Sequence, residues 1–200
     1  KGEPSVKVEK LTVLSKALRP MPDKWHGLSD RETKYRKRHL DLMSNQKSAD
    51  LFVIRSKIVA EIRNFLHDRG YLEVETPMLH DVAGGAAAKP FETHHNALSM
   101  PLTMRIAPEL HLKRLLVGGF TKVFELNRNF RNEGISRRHN PEFTMLEAYQ
   151  AFGDFEIMAD LVEEMVCHLA EKFFGTLQIE HKDENGEPLR TLDLSRPWKR

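Results

Sequence analysis

The chain has 200 residues, 40% hydrophobic and 8% aromatic, which is enough to bury one sizeable core. Its 31 Lys and Arg against 29 Asp and Glu give a net charge of +2, so the overall charge does not indicate a nucleic-acid-binding protein. The single cysteine, Cys167, excludes an intramolecular disulfide, and no apolar run approaches the roughly 20 residues of a membrane helix. We expect one compact domain with a terminal extension, located in the cytoplasm.

The amino-terminal segment predicts a strand and a linker. Apolar and polar residues alternate over residues 6–14, as in a half-buried strand. Residues 17–24 then contain two prolines, which fix their own φ angles and favour a rigid linker.

Two helices are predicted next. Ser29 and Glu32 have the spacing of a capping box, which predicts a helix from there to about Leu42. A second helix is indicated by apolar residues at helical spacing that stop at Gly70. Its stripe consists of Leu51, Ile54, Ile58, Ile62, Phe65 and Leu66.

A loop, a turn and a strand are predicted between residues 80 and 106. The loop contains Gly84, Gly85 and three alanines, a composition that lets a backbone approach a ligand closely or merely flex. We interpret residues 94–97 as a turn. Alternation from Leu98 to Ile106 then predicts a strand with one buried face, and Arg105 falls on its other face.

Pro108 fits the first turn of a short helix that runs to about Val117 and ends at two glycines. Glu109 therefore lies near a helix amino terminus. By itself this placement predicts only a favourable interaction with the helix dipole, worth about 0.3–1 kcal/mol.

Residues 124–150 predict two paired strands. The first carries an apolar face and ends with Arg131 and Glu133, and a basic loop leads into the second. On one side of the second strand lie Phe143, Met145, Glu147 and Tyr149.

These side chains have the chemistry of a ligand site. Arg131 offers a planar fork for a carboxylate or phosphate. Glu147 and the Tyr149 hydroxyl suit an amine, and Phe143 offers a ring for a base. The alternative is a solvated sheet face with one Arg–Glu pair worth about 0–1 kcal/mol, and spacing alone does not decide between them.

The remaining residues predict packing elements. A helix is indicated from Asp154 to Phe174, closed by Gly175, with Cys167 as a small core residue. Asn185 and Gly186 predict a turn between two further strands.

Four segments in order resemble the class II aminoacyl-tRNA synthetases, above all their lysine-specific branch. Residues 124–149 resemble motif 2 and residues 58–79 resemble motif 1. Residues 84–91 and 105–114 resemble the amino-acid-binding segments. The resemblance implies an α+β fold with an antiparallel sheet flanked by helices, preceded by the last strand of an OB-fold. Residues 1–28 would then end the anticodon-binding OB-fold and its linker, and residues 29–200 would begin the catalytic domain.

The implied activity is ATP-dependent activation of L-lysine and its transfer to tRNA(Lys). The resemblance makes Arg131 the catalytic residue, which binds both the α-phosphate and the lysine carboxylate. The other ATP-binding residues it implies are Glu133, Arg138, His139, Asn140 and Phe143. The lysine-binding residues are Gly85, Glu109, Arg131, Glu147 and Tyr149. The family pattern also leads us to expect Tyr at His111 and Arg at Lys89.

The resemblance further implies a homodimer formed through the motif 1 region and no membrane association. Motif 3 and the acidic residues that bind magnesium would lie beyond Arg200, so we expect no metal ligands in this chain and weak or no activity from it alone. It would be an internal fragment of a longer protein.

Three other functions stay open. The aspartate or asparagine branch would need a cation where Glu147 and Tyr149 stand. A ligase that attaches a lysine derivative to elongation factor P would lack the OB-fold. A non-catalytic dimerisation or RNA-binding module would not need Arg131, Glu133 or Glu109.

Overall fold

The computed structural model of the chain describes residues 2–22, 28–183 and 186–199. Its backbone divides into two compact units, Lys1–Arg55 and Ser56–Arg200. None of the helices in these described ranges is long and apolar enough to cross a membrane.

The strand predicted over residues 6–14 does not form. Residues 2–22 contain neither helix nor strand, and Val6 and Leu11 are 88% and 83% exposed. A strand needs a neighbour to pair its backbone N–H and C=O groups, and no described strand pairs with this segment. The assignment of residues 1–28 to an anticodon-binding domain stays a prediction.

The single helix predicted from Ser29 to Leu42 is two short helices. Helix α1 spans Arg31–Arg36 and α2 spans Arg38–Ser44, with a break at Lys37. The amino-terminal cap is Asp30, whose carboxylate accepts a 2.7 Å hydrogen bond from the Thr33 backbone. Asp and Ser are both good caps, and here the helix starts one residue later than the capping box indicated.

Helix α3 spans Gln46–Asp68 and confirms the predicted apolar stripe. It ends before Gly70, whose φ of +78° continues the chain in a left-handed conformation. Only the carboxyl-terminal part of the stripe is deeply buried. Phe65 and Leu66 are 3% and 1% exposed, whereas Leu51 is exposed.

The second unit holds the strands and two further helices. In chain order they are β1 (Leu72–Glu73), β2 (Leu79–His80), β3 (Glu92–His95), β4 (Met100–Met104), α4 (Glu109–Val117), β5 (Lys122–Phe130), β6 (Glu142–Gln150), α5 (Phe155–Phe174), β7 (Gln178–Lys182) and β8 (Pro188–Asp193). The strands form three sheets, in the orders β1-β5-β6, β2-β4-β3 and β7-β8. All pairs are antiparallel except β1 with β5. The predicted α+β class with antiparallel sheets and helices is confirmed.

The main core lies on one face of the β5-β6 pair. Phe124 and the α3 residues Phe65 and Leu66 form its centre with Tyr71. Around them pack Ile62, Leu126, Leu146, Ala148 and the α5 residues Leu161 and Met165. Because side chains alternate along a strand, the residues between these point to the opposite face, where the candidate site lies.

Helices α4 and α5 form as predicted. Helix α4 is capped by Gly118, and Gly119 follows with a φ of +107°. Asp154 caps α5 by accepting a hydrogen bond from the Ile157 backbone, and Gly175 ends the helix. Cys167 is buried and its thiol contacts the Leu194 carbonyl, which confirms a packing role.

One local prediction differs from the structure, and another is confirmed as far as the described residues reach. His94 and His95 belong to β3, and the turn follows at residues 96–99, because the pair with β4 extends to His95 opposite Met100. The hairpin between β7 and β8 confirms the predicted strand pair, but Asn185 of its predicted turn lies outside the described residues.

Candidate active site

Strands β5 and β6 pair over their full length and present a mixed polar face. In the register, Phe143 faces Asn129, Glu147 faces Glu125 and Tyr149 faces Val123. Residues directly opposite in an antiparallel pair share a face, so the predicted set on β6 stands beside Glu125 and Asn129. The predicted pairing is confirmed.

Arg131 and Glu133 lie in the loop beyond β5, which ends at Phe130, so the prediction that they continue the strand is wrong. The Arg131 N–H still donates to the Pro141 carbonyl at 2.8 Å, but the Asn132 N–H turns away to the Lys89 carbonyl at 2.7 Å. The strand ends because its next donor is used by a different segment.

This loop and the start of β6 enclose a cavity of about 350 Å³. Its lining contains all six residues predicted to bind ATP: Arg131, Glu133, Arg138, His139, Asn140 and Phe143. Gly134 and Thr144 complete the lining. The structure therefore brings together in one cavity the side chains that the resemblance to the class II synthetases predicts to bind ATP.

Within the cavity, a cation and an aromatic ring lie side by side. The Arg131 guanidinium carbon is 5.1 Å from the centre of the Phe143 ring. Arg131 Nε donates to the Ile106 carbonyl at 3.3 Å, which fixes the guanidinium against the segment that leads into α4. A fixed guanidinium next to a ring can bind an anion beside a flat base.

The end of the glycine-containing loop contacts Glu133, one of the residues that line this cavity. The Glu133 carboxylate accepts a 3.3 Å hydrogen bond from the Lys89 N–H, in addition to the Asn132 contact with the Lys89 carbonyl. Both contacts use the Lys89 backbone. The expected Arg at this position is therefore not needed to hold the two loops together.

Gly85 packs directly against the start of α4. Its φ is +88°, and a Cβ atom there would lie 3.0 Å from the Glu109 Cβ and 3.3 Å from the Ala107 Cβ. Only glycine adopts this φ readily, and a side chain would push against Glu109. The predicted lysine-binding residues Gly85 and Glu109 are thus neighbours.

Glu147 and Tyr149 form a hydrogen-bonded pair at 3.0 Å, with the phenol donating to Oε2. Burial raises the pKa of the Glu147 carboxyl above its usual range, and the charge of Glu109 acts in the same direction. Burial and the Glu147 charge also raise the pKa of Tyr149. The pair is a partly buried acceptor to which an ammonium group could bind.

Sequence reasoning missed the buried support of this face. Arg105 and Glu125 are 0% and 1% exposed and form an ion pair at 2.6 Å. Arg105 also donates to the Arg128 carbonyl at 2.8 Å, and Thr76 donates to Glu125 at 2.6 Å. The available signal was the position of Glu125 between the apolar residues Phe124 and Leu126.

His111, where the family pattern led us to expect Tyr, packs against His80 with their rings tilted by 54°. Their ring centres are 4.8 Å apart, and burial lowers the pKa of His111, with His80 acting in the same direction. A second cavity of about 200 Å³ lies here, lined by both histidines, Gly84 and Arg114 among others. The His111 imidazole therefore lines one wall of this cavity.

No group of three or more His, Cys, Asp or Glu side chains suited to a metal ion occurs in the part of the chain that the structure describes.

Residues 30–200 match the family described as tRNA synthetases class II (D, K and N). The chain is 59% identical over 200 residues to a lysine–tRNA ligase of Carboxydothermus hydrogenoformans, 60% over 198 residues to one of Coxiella burnetii, and 57% over 199 residues to one of Staphylococcus epidermidis. These alignments cover 99–100% of this chain but only 39–40% of each relative, so the chain spans about two-fifths of their length. With its fold, its paired motif 2 strands and this match, the chain belongs to the class II tRNA synthetases of the D, K and N family.

Proposed function

We propose that this chain supplies the lysine- and ATP-binding part of a lysine–tRNA ligase, which activates L-lysine with ATP and transfers it to tRNA(Lys). The observation that carries the proposal is the order of groups along one face of β6. Phe143 lies at the cavity with Arg131, and Glu147 and Tyr149 follow on the same face. Phe143 and Glu147 are four residues apart along the strand, which corresponds to about 13 Å. This distance suits a ligand with a base at one end and an amine at the other.

In this proposal each part of the ligand has its own group. Phe143 stacks on the adenine, and Arg131 binds the α-phosphate together with the lysine carboxylate. Arg138 and His139 take the outer phosphates, while Glu133 and Asn140 lie beside the adenine. Glu109 and the Gly85 backbone receive the α-amino group, and Glu147 with Tyr149 receives the ε-amino end. Two observations support this assignment: the residues assigned to ATP line one cavity, and Gly85 packs on Glu109.

Adenylation needs positioning and charge neutralisation more than proton transfer. A lysine carboxylate oxygen attacks the α-phosphorus and forms a new O–P bond. The bond from the α-phosphorus to the oxygen that bridges to the β-phosphorus breaks, and pyrophosphate leaves with its electron pair. Two anions must approach each other, and the Arg131 guanidinium can bind both. Its bond to the Ile106 carbonyl and its contact with Phe143 hold it ready for that geometry. The step requires no side-chain nucleophile.

Selectivity for lysine would come from the Glu147–Tyr149 pair. A neutral analogue leaves a partly buried carboxylate without its cation, and sites of this kind can discriminate by about 10⁴-fold. An acidic amino acid would place a third carboxylate near Glu147 and Glu109, whose charges already act on one another. This argues against the aspartate and asparagine branch.

The wider assignments are proposals as well. We place the protein in the cytoplasm. We place the dimer interface in residues 58–79, where Leu72 and Leu79 are exposed apolar side chains. Magnesium would accompany ATP, with its protein ligands outside the described residues. We retain the OB-fold assignment of residues 1–28 and the catalytic-domain assignment of residues 29–200.

The experiment is ATP–pyrophosphate exchange by the full-length gene product that contains this chain, with lysine, aspartate, asparagine and β-lysine as parallel substrates. We expect exchange with lysine alone. Exchange with β-lysine instead would favour the ligase that modifies elongation factor P. A folded protein that exchanges with none of the four would contradict the enzyme assignment and favour a binding module.

A further inference from the structure

A lysine of the chain itself occupies the proposed amine site. The Lys113 ammonium lies 2.5 Å from Oε1 of Glu109, one helical turn earlier on α4. The same ammonium lies 5.9 Å from the centre of the Tyr149 ring. Lys113 thus stands between the residue proposed to bind the α-amino group of lysine and the pair proposed to bind its ε-amino end.

We propose that Lys113 is a resident cation that holds Glu109 in the ligand-free site and must be displaced by the α-amino group of the incoming amino acid. This inference rests on the proposed function. It makes Lys113 a residue that sets the affinity for the substrate without taking part in the chemical step.

The charges around the site give the resident cation a physical reason. Glu109 pairs with Lys113, and the Glu109 charge also contributes to the raised pKa of Glu147. Two carboxylates close together in a partly buried site repel each other. An ammonium from the same helix compensates one of them until the ligand brings its own.

The exposure of the pair makes displacement easy. The Lys113 side chain is 54% exposed and Glu109 is 31% exposed, so water can solvate the released ammonium. Ion pairs between residues four apart on an exposed helix are weak. The α-amino group arrives with the rest of the ligand already bound, so it competes at a high local concentration.

The test measures the binding of two ligands to three variants of the full-length gene product by calorimetric titration. The ligands are L-lysine and 6-aminohexanoate. The second ligand keeps the carboxylate and the ε-amino group of lysine but has no α-amino group. Lys113→Met removes the charge at similar length, and Lys113→Arg keeps a cation. Lys182→Met is the matched control, because it removes a positive charge from the exposed strand β7, where Lys182 pairs with Glu180.

We expect Lys113→Met to lower the Kd for lysine about two- to fivefold, the strength of a weak ion pair. The decrease in the Kd for 6-aminohexanoate should be smaller than the decrease for lysine. Lys113→Arg and Lys182→Met should bind lysine as the unmodified protein does. An unchanged or higher Kd for lysine in Lys113→Met would overturn the inference. So would an equal gain for both ligands, which would indicate a general charge effect.

The two proposals fail separately. If the unmodified protein shows no lysine-dependent exchange, the proposed function is wrong. If it exchanges normally while Lys113→Met binds lysine no better, only the role of Lys113 is wrong.

Discussion

Arg105 donates from Nη1 to Oε1 of Glu125 at 2.6 Å, and both side chains are buried almost completely beneath the site face. Removal of one partner leaves an uncompensated charge inside the protein. We predict that Arg105→Met lowers the free energy of unfolding by about 3–5 kcal/mol. Chemical denaturation measures this directly.

The matched control for that prediction is the double variant Arg105→Met with Glu125→Met. It removes both charges and leaves an apolar pair, which costs far less than one orphaned charge. We expect it to be more stable than Arg105→Met alone. A double variant that is less stable than the unmodified protein by the sum of the losses in Arg105→Met and Glu125→Met would show that the ion pair has no coupling.

Phe143 should decide the affinity for ATP. Loss of its ring in Phe143→Leu removes stacking worth about 1–3 kcal/mol per base, so the KM for ATP should rise roughly tenfold or more. Phe143→Trp keeps an aromatic face and should bind ATP nearly as the unmodified protein does. Exchange kinetics at saturating lysine measure both. An unchanged KM for ATP in Phe143→Leu would place the adenine elsewhere.

Tyr149 should control the pH dependence of lysine binding. Glu147 binds an ammonium only when ionised, so with its raised pKa the affinity is present at high pH and falls as the pH drops through that pKa. The Tyr149 hydrogen bond lowers the pKa of Glu147. Tyr149→Phe should therefore move the acid limb of kcat/KM for lysine to higher pH, and raise KM about tenfold at neutral pH.

Tyr71→Phe is the control for this shift. The Tyr71 hydroxyl contacts Gln150 and Met158, away from Glu147, so its removal should leave the acid limb in place. If both variants move the limb equally, Glu147 is not the titrating group.

Glu61 should make the contact between α3 and α5 sensitive to acid. Its carboxylate bonds to His168 and Lys172, each at 2.6 Å, and these contacts lower its pKa to about 2. A carboxyl whose folded pKa lies below its unfolded value stabilises the fold above about pH 4.5, and that contribution is lost as the pH falls towards 2. Denaturation of Glu61→Gln from pH 2 to 6 tests this.

The unmodified protein should exceed Glu61→Gln in stability at pH 6, and the difference should vanish near pH 2. Glu180→Gln, at an exposed pair on β7, should show little difference at any pH. A difference between the unmodified protein and Glu61→Gln that stays constant with pH would mean that ionisation of Glu61 contributes nothing.

Periodic patterns in the sequence predicted the helices and the hairpin that place the site. Gly70, Gly118 and Gly175 correctly mark the ends of α3, α4 and α5, because these glycines cap the helices they follow. The six residues predicted to bind ATP share one cavity. Here local structure and the ordered motifs agree, and an antiparallel hairpin brings residues near in sequence together in space.

Contacts between distant segments could not be predicted. Arg105 was expected on the exposed face of its strand, but it is buried because Glu125, 20 residues later, pairs with it. Arg131 was expected on the strand, but the Lys89 backbone draws the next residue away. Residues 6–14 have the pattern of a strand, but no described neighbour pairs with them. The periodic pattern indicates which residues suit a buried face, but it does not indicate which other segment packs on that face.

The central claim is that Arg131 belongs to the centre that adenylates lysine, and lysine-dependent ATP–pyrophosphate exchange by Arg131→Ala in the full-length gene product tests it most directly. The control is Arg128→Ala. It removes an exposed arginine that pairs with Glu142 of β6, on the face of the sheet opposite the candidate site. We predict that Arg131→Ala loses at least about 100-fold in exchange rate, and that Arg128→Ala exchanges normally. A folded Arg131→Ala protein that exchanges as fast as the Arg128→Ala protein would contradict the account.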